Sequence, residues 1–190
     1  MMSYLHTLGQ YLALGFTHVL PYGFDHLLFI LSIFFLNSKL KSVVIQCSVF
    51  TLAHSLSLGL AASGVLLPNS NYIEPLIALS ILFTSIENII HSKVNPYRLL
   101  ILFGFGVIHG MGFATALKEI GIPKEQFFTS LLSFNFGVEL GQIVVLLLAY
   151  FLISKWFAHQ PWYKERVVYP ISSLIGCVAL YWTIERILLV

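Results

Sequence analysis

The chain has 190 residues, of which 58% are hydrophobic and only 9% are charged, and its formal net charge is +2. Its mean hydropathy of +0.88 lies far above that of soluble domains, in which about a quarter of the residues are charged. This composition excludes an ordinary soluble domain, and the few dispersed Lys and Arg residues exclude a nucleic-acid surface. The sequence therefore predicts an integral membrane protein.

Six apolar stretches, each long enough to cross a bilayer core of about 30 Å as a helix, follow one another between polar breaks. They lie near residues 9–36, 43–66, 73–91, 98–118, 128–153 and 167–188. The connections are short, and none is long enough to separate domains. The sequence predicts an all-α fold in which residues 1–190 form a single polytopic membrane domain, a bundle of about six transmembrane helices.

The first helix carries His18, Asp25 and His26 on either side of a helix-breaking segment. An advance of seven residues places His18 and Asp25 on one face of a continuous helix. Pro21 removes a backbone donor and Gly23 adds flexibility, so we expect a kinked or interrupted helix here. Broken membrane helices commonly line ion sites.

Polar side chains at three- and four-residue spacing form stripes on later helices. The stripes are Thr51, His54 and Ser55 in the second helix, Ser80, Thr84, Glu87 and His91 in the third, and Asn135, Glu139 and Gln142 in the fifth. The fourth helix carries His109 among the glycines Gly104, Gly106, Gly110 and Gly112, and small residues four apart permit close helix packing. Most of these ionisable groups share the depth of the membrane midplane.

Charged side chains within a bilayer cost about 2.5–3.5 kcal/mol each on insertion scales, so ionisable residues there are functional by default. A single buried histidine is more often a hydrogen-bonded structural residue, but four at similar depth favour a ligand set. Imidazole nitrogen combined with carboxylate oxygen suits nickel, cobalt, zinc, copper or iron. The predicted metal ligands are His18, Asp25, His26, His54, His109 and Glu139.

Two further groups complete the predicted site. Thr51, Ser55, Asn135 and Gln142 are expected to fix the orientation of the ligands through hydrogen bonds. Glu87 lies deeper toward the opposite end of the bundle, where it is either a residue of the metal pathway or a paired group near the membrane boundary. Near the C-terminal end, Trp182, Glu185 and Arg186 are interpreted as an interfacial anchor or a local ion pair.

Five segments of the chain, covering nearly its whole length, resemble the HupE/UreJ family of bacterial membrane proteins. They are Gly23-Phe-Asp-His-Leu-Leu-Phe29, Phe50-Thr-Leu-Ala-His-Ser55, Glu74-Pro-Leu-Ile-Ala-Leu-Ser80 with Glu87-Asn88, Phe105-Gly-Val-Ile-His-Gly-Met-Gly-Phe-Ala114 and Phe134-Asn-Phe-Gly-Val-Glu-Leu-Gly-Gln142. The resemblance implies a nickel or cobalt permease, or an accessory protein of hydrogenase or urease, with the six predicted ligands as its metal-handling residues.

The distribution of Lys and Arg between the connections indicates an orientation in the bacterial cytoplasmic (inner) membrane. Three lie on one side, Lys118, Lys124 and Arg186, and seven on the other, Lys39, Lys41, Lys93, Arg98, Lys155, Lys164 and Arg166. Because cytoplasmic connections carry the excess of positive charge, we expect a multi-pass protein with both termini outside the cytoplasm.

Two functions fit these residues. The first is a permease or accessory protein that binds a divalent transition metal as its substrate, with nickel or cobalt favoured. The alternative is an intramembrane zinc hydrolase, in which three protein ligands hold the metal, water takes the fourth position and a carboxylate acts as general base. The expected partners are the lipid bilayer and the metal ion. A metalloenzyme maturation partner and a homo-oligomer are further hypotheses, since six helices are few for a transporter.

Overall fold

The computed structural model describes residues 4–36, 39–91, 96–120, 122 and 124–188. Over these ranges the chain forms seven helices, and no strand occurs in them: α1 (Tyr4–Val19), α2 (Phe24–Leu36), α3 (Leu40–Ala62), α4 (Ser70–Ile90), α5 (Arg98–Ile120), α6 (Phe127–Phe157) and α7 (Lys164–Leu188). The prediction of an all-α bundle is confirmed.

The first predicted span is divided into two helices, α1 and α2, which meet at 65°. Pro21 has no N–H to donate, and the N–H of Tyr22 instead reaches the carbonyl of Thr17 at 3.3 Å. A Cβ at Gly23 would lie 1.9 Å from the carbonyl oxygen of His18, so only glycine fits this approach. The expected interruption is confirmed, whereas the count of six helices is too low by one because the interrupted helix forms two.

Length and composition indicate a multi-pass membrane protein. Within the described ranges, four helices are long and apolar enough to cross a membrane, namely α3, α4, α6 and α7, and α1 with α2 gives a fifth span if the bent pair crosses as one. The apolar part of α5 that the structure describes, Arg98–Ala114, is shorter. Lys93, which contributes to the predicted orientation, lies outside the described residues.

The bundle is assembled from three closely packed helix pairs: α1 with α6, α3 with α5, and α4 with α7. Glycines bring the backbones of the first two pairs into contact. A Cβ at Gly137 of α6 would lie 2.1 Å from the carbonyl oxygen of Leu12, and one at Gly110 of α5 would lie 2.2 Å from that of His54. Close packing at Gly110 therefore sets the neighbouring His109 beside α3.

The α1–α6 contact can be tested with one methyl group. We expect Gly137→Ala to lower the thermal unfolding midpoint of the purified protein in detergent, because overpacking a tight contact costs about 1–3 kcal/mol. Gly104→Ala is the matched control, since nothing lies within 4 Å of a Cβ at that glycine. Equal unfolding midpoints for the two variants would contradict the close approach of α1 and α6.

Candidate metal centre

Three histidines from three helices meet in the bundle. His18 lies in the last turn of α1, His26 lies in the first turn of α2, and His54 lies within α3. Each offers a ring nitrogen, and the three nitrogens lie within 4.8 Å of one another. Among the residues that the structure describes, these three side chains are the His, Cys, Asp or Glu residues that lie close enough together to share a metal ion. We call these residues the histidine triad.

The interruption of the first span brings two of the three triad residues, His18 and His26, together. Eight residues of continuous helix would separate His18 from His26 by about 12 Å along the axis. The 65° bend instead brings their ring centroids to 4.5 Å. The same bend separates the helices of His18 and Asp25, so the shared face expected on a continuous helix does not form.

His109 lies beside the triad without belonging to it. Its ring centroid is 5.2 Å from that of His26, and its Nε2 is 2.9 Å from the hydroxyl oxygen of Ser80. Phe50 and Phe29 flank the ring at centroid distances of 5.0 and 4.9 Å. The glycine packing of α5 on α3 thus places a fourth imidazole against the other three.

Aromatic side chains also form the wall around His18. The rings of Phe113 and Phe134 lie 3.9 and 5.5 Å from the His18 ring, centroid to centroid, and they stack on each other at 5.1 Å. His54 is fully buried, and His26 is 5% exposed. Apolar surroundings strengthen any electrostatic or coordinate bond made by these nitrogens and penalise leaving them unpaired.

The imidazole nitrogens are nevertheless largely unpaired. Five buried ring nitrogens have no hydrogen-bond partner within the described structure: Nε2 of His18, Nε2 of His26, both nitrogens of His54 and Nδ1 of His109. An unsatisfied buried polar group costs about 1–3 kcal/mol, so native proteins rarely keep several together. A metal ion bound by neutral imidazoles would satisfy them, and the donor set fits such an ion.

The predicted orienting residues make hydrogen bonds among themselves and with the backbone. Gln142 donates to the hydroxyl of Thr51 at 2.8 Å, and Ser55 donates to the carbonyl of Thr51 at 2.6 Å. The amide of Asn135 donates to the carbonyl of Leu131 at 2.8 Å. The amide oxygens of Asn135 and Gln142 are buried and have no partner in the described structure, so both retain acceptor capacity.

The predicted carboxylate ligands are engaged elsewhere. Asp25 binds the guanidinium of Arg186 in α7, with Nη2 at 3.0 and 3.1 Å from its two oxygens. Glu139 accepts a hydrogen bond of 2.7 Å from Ser48 on the outer surface of α3 and α6. The prediction grouped both carboxylates with the histidines by depth, but their helices turn them toward other partners.

Glu87 also has a defined partner. It forms a buried ion pair with Arg98, whose Nε donates to the amide oxygen of Gln46 at 2.5 Å. Arg98 is 2% exposed and Glu87 is 7% exposed. This pair joins α4 to the start of α5, which gives Glu87 a structural role whether or not a metal passes it.

A pocket of about 580 Å³ connects three of the histidines to the exterior of the protein. His18, His26 and His109 contribute to its lining, and Asp25 and Arg186 lie in the same pocket. Sequence reasoning did not include Ser80 or Arg186 in the site. Arg186 was interpreted as an anchor or a local pair, but its partner lies 161 residues away. The feature of the sequence that could have identified Arg186 as a site residue is the presence of a cation within the last apolar span.

A family model described as HupE/UreJ protein matches residues 2–186. No curated protein and no solved structure matches the chain.

The structural role of Glu87 gives a testable expectation. We expect Glu87→Gln to lower the free energy of unfolding by about 3–5 kcal/mol, because Arg98 would remain buried without its countercharge. Glu165→Gln removes an exposed carboxylate in the first turn of α7 and should leave stability unchanged. Thermal unfolding in detergent measures both, and wild-type stability of Glu87→Gln would contradict the structural role.

Proposed function

Because the chain belongs to the HupE/UreJ family, we propose that it binds a divalent transition metal ion at the histidine triad and carries it across the membrane. Nickel and cobalt are the favoured substrates. The observation that supports this proposal most directly is the set of five buried imidazole nitrogens without hydrogen-bond partners in the described structure.

The chemistry of the donors supports a borderline transition metal. Nickel, cobalt and zinc bind neutral imidazole well, whereas magnesium and calcium prefer oxygen ligands. The triad nitrogens already lie within 4.8 Å of one another, and metal–imidazole bonds measure about 2.0–2.1 Å for zinc. Small rotations of the rings would therefore bring all three nitrogens within bonding distance of one ion. His109 would steady the site from α5 or supply a further ligand.

The pocket supplies a route from one face of the membrane. Under the positive-inside orientation it opens to the outside, so hydrated ions would reach His18 and His26 from there. Beyond the triad, Ser80 and Thr84 continue a buried polar stripe along α4 toward Glu87. The Glu87–Arg98 pair closes that end. Transport would require this pair to separate, and the bend at Pro21 is the natural hinge for alternating access.

An accessory role uses the same site without transport. In that case the protein would hold the metal for a metalloenzyme maturation partner, and proteoliposomes would bind cobalt without accumulating it. The zinc hydrolase also remains a prediction. It requires a carboxylate base beside the metal, whereas Asp25 is paired with Arg186 and Glu139 with Ser48. Lipid or peptide turnover that depends on bound zinc would favour it.

Metal binding is tested by removing two site histidines. We expect purified His54→Ala/His109→Ala protein to lose cobalt affinity by at least about ten-fold, because one triad ligand and its neighbour are removed. The matched control is His91→Ala/His159→Ala, which removes two exposed histidines. Equilibrium titration with cobalt chloride and elemental analysis measure binding, and uptake into proteoliposomes measures transport. Unchanged affinity in the site variant would overturn the proposal.

The same site predicts a pH dependence. Imidazole coordinates a metal only in its neutral form, so protons compete with the ion. We expect cobalt affinity to fall progressively as the pH is lowered from about 7.5 to about 4, because a protonated imidazole has no lone pair left to bind the ion. The His91→Ala/His159→Ala protein should show the same profile as the wild type. An affinity that does not change over this range would contradict binding through histidines.

A further inference from the structure

The pocket that leads to the histidines contains a fixed positive charge. Arg186 of α7 lines it together with His18, His26 and His109. A cation at this position would repel an approaching metal ion unless its charge were compensated. Asp25 provides that compensation, since its carboxylate binds the guanidinium through both oxygens.

Arg186 is held by more than this ion pair. Its Nη1 donates to the backbone carbonyl of Glu74 at 3.1 Å, and its guanidinium lies 5.3 Å from the ring centroid of Trp182. These two contacts come from α4 and from α7 itself, and neither needs Asp25. The guanidinium can therefore stay in place when the carboxylate leaves it.

Asp25 immediately precedes His26 in the first turn of α2. Both residues line the pocket, and the Nε2 of His26 has no partner in the described structure. The carboxylate is the anionic group nearest in sequence to the triad, yet its two oxygens are occupied by Arg186. A metal ion that is to use this carboxylate must displace the guanidinium.

We infer that Arg186 is a positioning residue that competes with the incoming divalent cation for the carboxylate of Asp25. Without metal, the guanidinium holds Asp25 at the pocket and takes the place of the ion. When a divalent cation arrives, Asp25 exchanges its single positive partner for a doubly charged one, and Arg186 remains on Glu74 and Trp182. No bond other than the ion pair and the coordinate bond changes in this exchange.

This competition would make the pocket select divalent over monovalent cations. A monovalent cation offers Asp25 no more charge than Arg186 does, and it cannot donate hydrogen bonds to both carboxylate oxygens as Nη2 of Arg186 does. A divalent transition metal offers twice the charge and accepts His26 nitrogen as well as carboxylate oxygen. This inference rests on the proposed function and names the residue that controls access to its site.

A double-mutant cycle measured with cobalt chloride tests the competition. We expect Arg186→Gln to bind cobalt about ten-fold more tightly than the wild type, since Asp25 becomes available, and Asp25→Asn to bind about ten-fold more weakly. In the Asp25→Asn background, the gain from removing Arg186 should be clearly smaller, because no carboxylate is released and only the relief of charge repulsion remains. A gain that is equal or larger in the Asp25→Asn background would show simple charge repulsion and overturn the inference.

Two controls separate this result from other effects. Arg166→Gln removes an exposed cation in the first turn of α7, at the opposite end of that helix from Arg186, and should leave cobalt affinity unchanged. Arg186→Lys keeps the charge but loses the planar guanidinium, so its affinity should fall between those of the wild type and Arg186→Gln, and it serves if the Gln variant fails to fold. If the wild type binds cobalt and neither variant at residue 186 differs from it, the inference alone fails. If the wild type binds no cobalt, the proposed function fails too.

Discussion

Hydrocarbon around a transmembrane helix offers no hydrogen-bond partners, so each polar group within the span must be satisfied by the protein or by what the protein binds. Most buried polar side chains here follow that constraint. Ser85 and Thr84 donate to carbonyls of their own helix, and Asn88 donates to the carbonyl of Ser32 and the hydroxyl of Ser172. The buried imidazoles are a clear departure. The hydroxyls of Ser32 and Ser130 also lack a partner in the described structure, but the imidazoles bring several unpaired ring nitrogens together in one cluster. That cluster is the basis of the metal site proposed above.

The two ends of the bundle are built differently. At one end, Asn88 ties α4 to α2 and α7, and Arg98 ties α5 to Glu87 and Gln46. At the other end, the break between α1 and α2 leaves a pocket whose mouth is held by a partly exposed ion pair. Buried charge pairs are costly to separate, whereas partly exposed ones exchange partners readily. Under the proposed function, the first step of metal capture would therefore take place at the open end.

Hydropathy and proline chemistry predict much of this fold, because span length and a missing backbone donor act locally. The insertion cost of ionisable groups also singles out the histidines of the triad. The partners of the carboxylates are not predictable in the same way. Spacing gives the depth of Asp25 or Glu139 and the face on which it lies, but the helix opposite that face depends on long-range packing. Asp25 therefore meets Arg186, and Glu139 meets Ser48, far away in sequence.

The distribution of the four imidazoles over α1, α2, α3 and α5 has a consequence for biosynthesis. Translation delivers His18 and His26 first, then His54, and His109 only after α4 has been made. Until α5 packs its glycines on α3, the earlier histidines lack their neighbour, and the aromatic wall from Phe134 arrives later still. The triad is therefore synthesised early, whereas its fourth imidazole and part of its aromatic wall are added only when α5 and α6 pack against the first three helices.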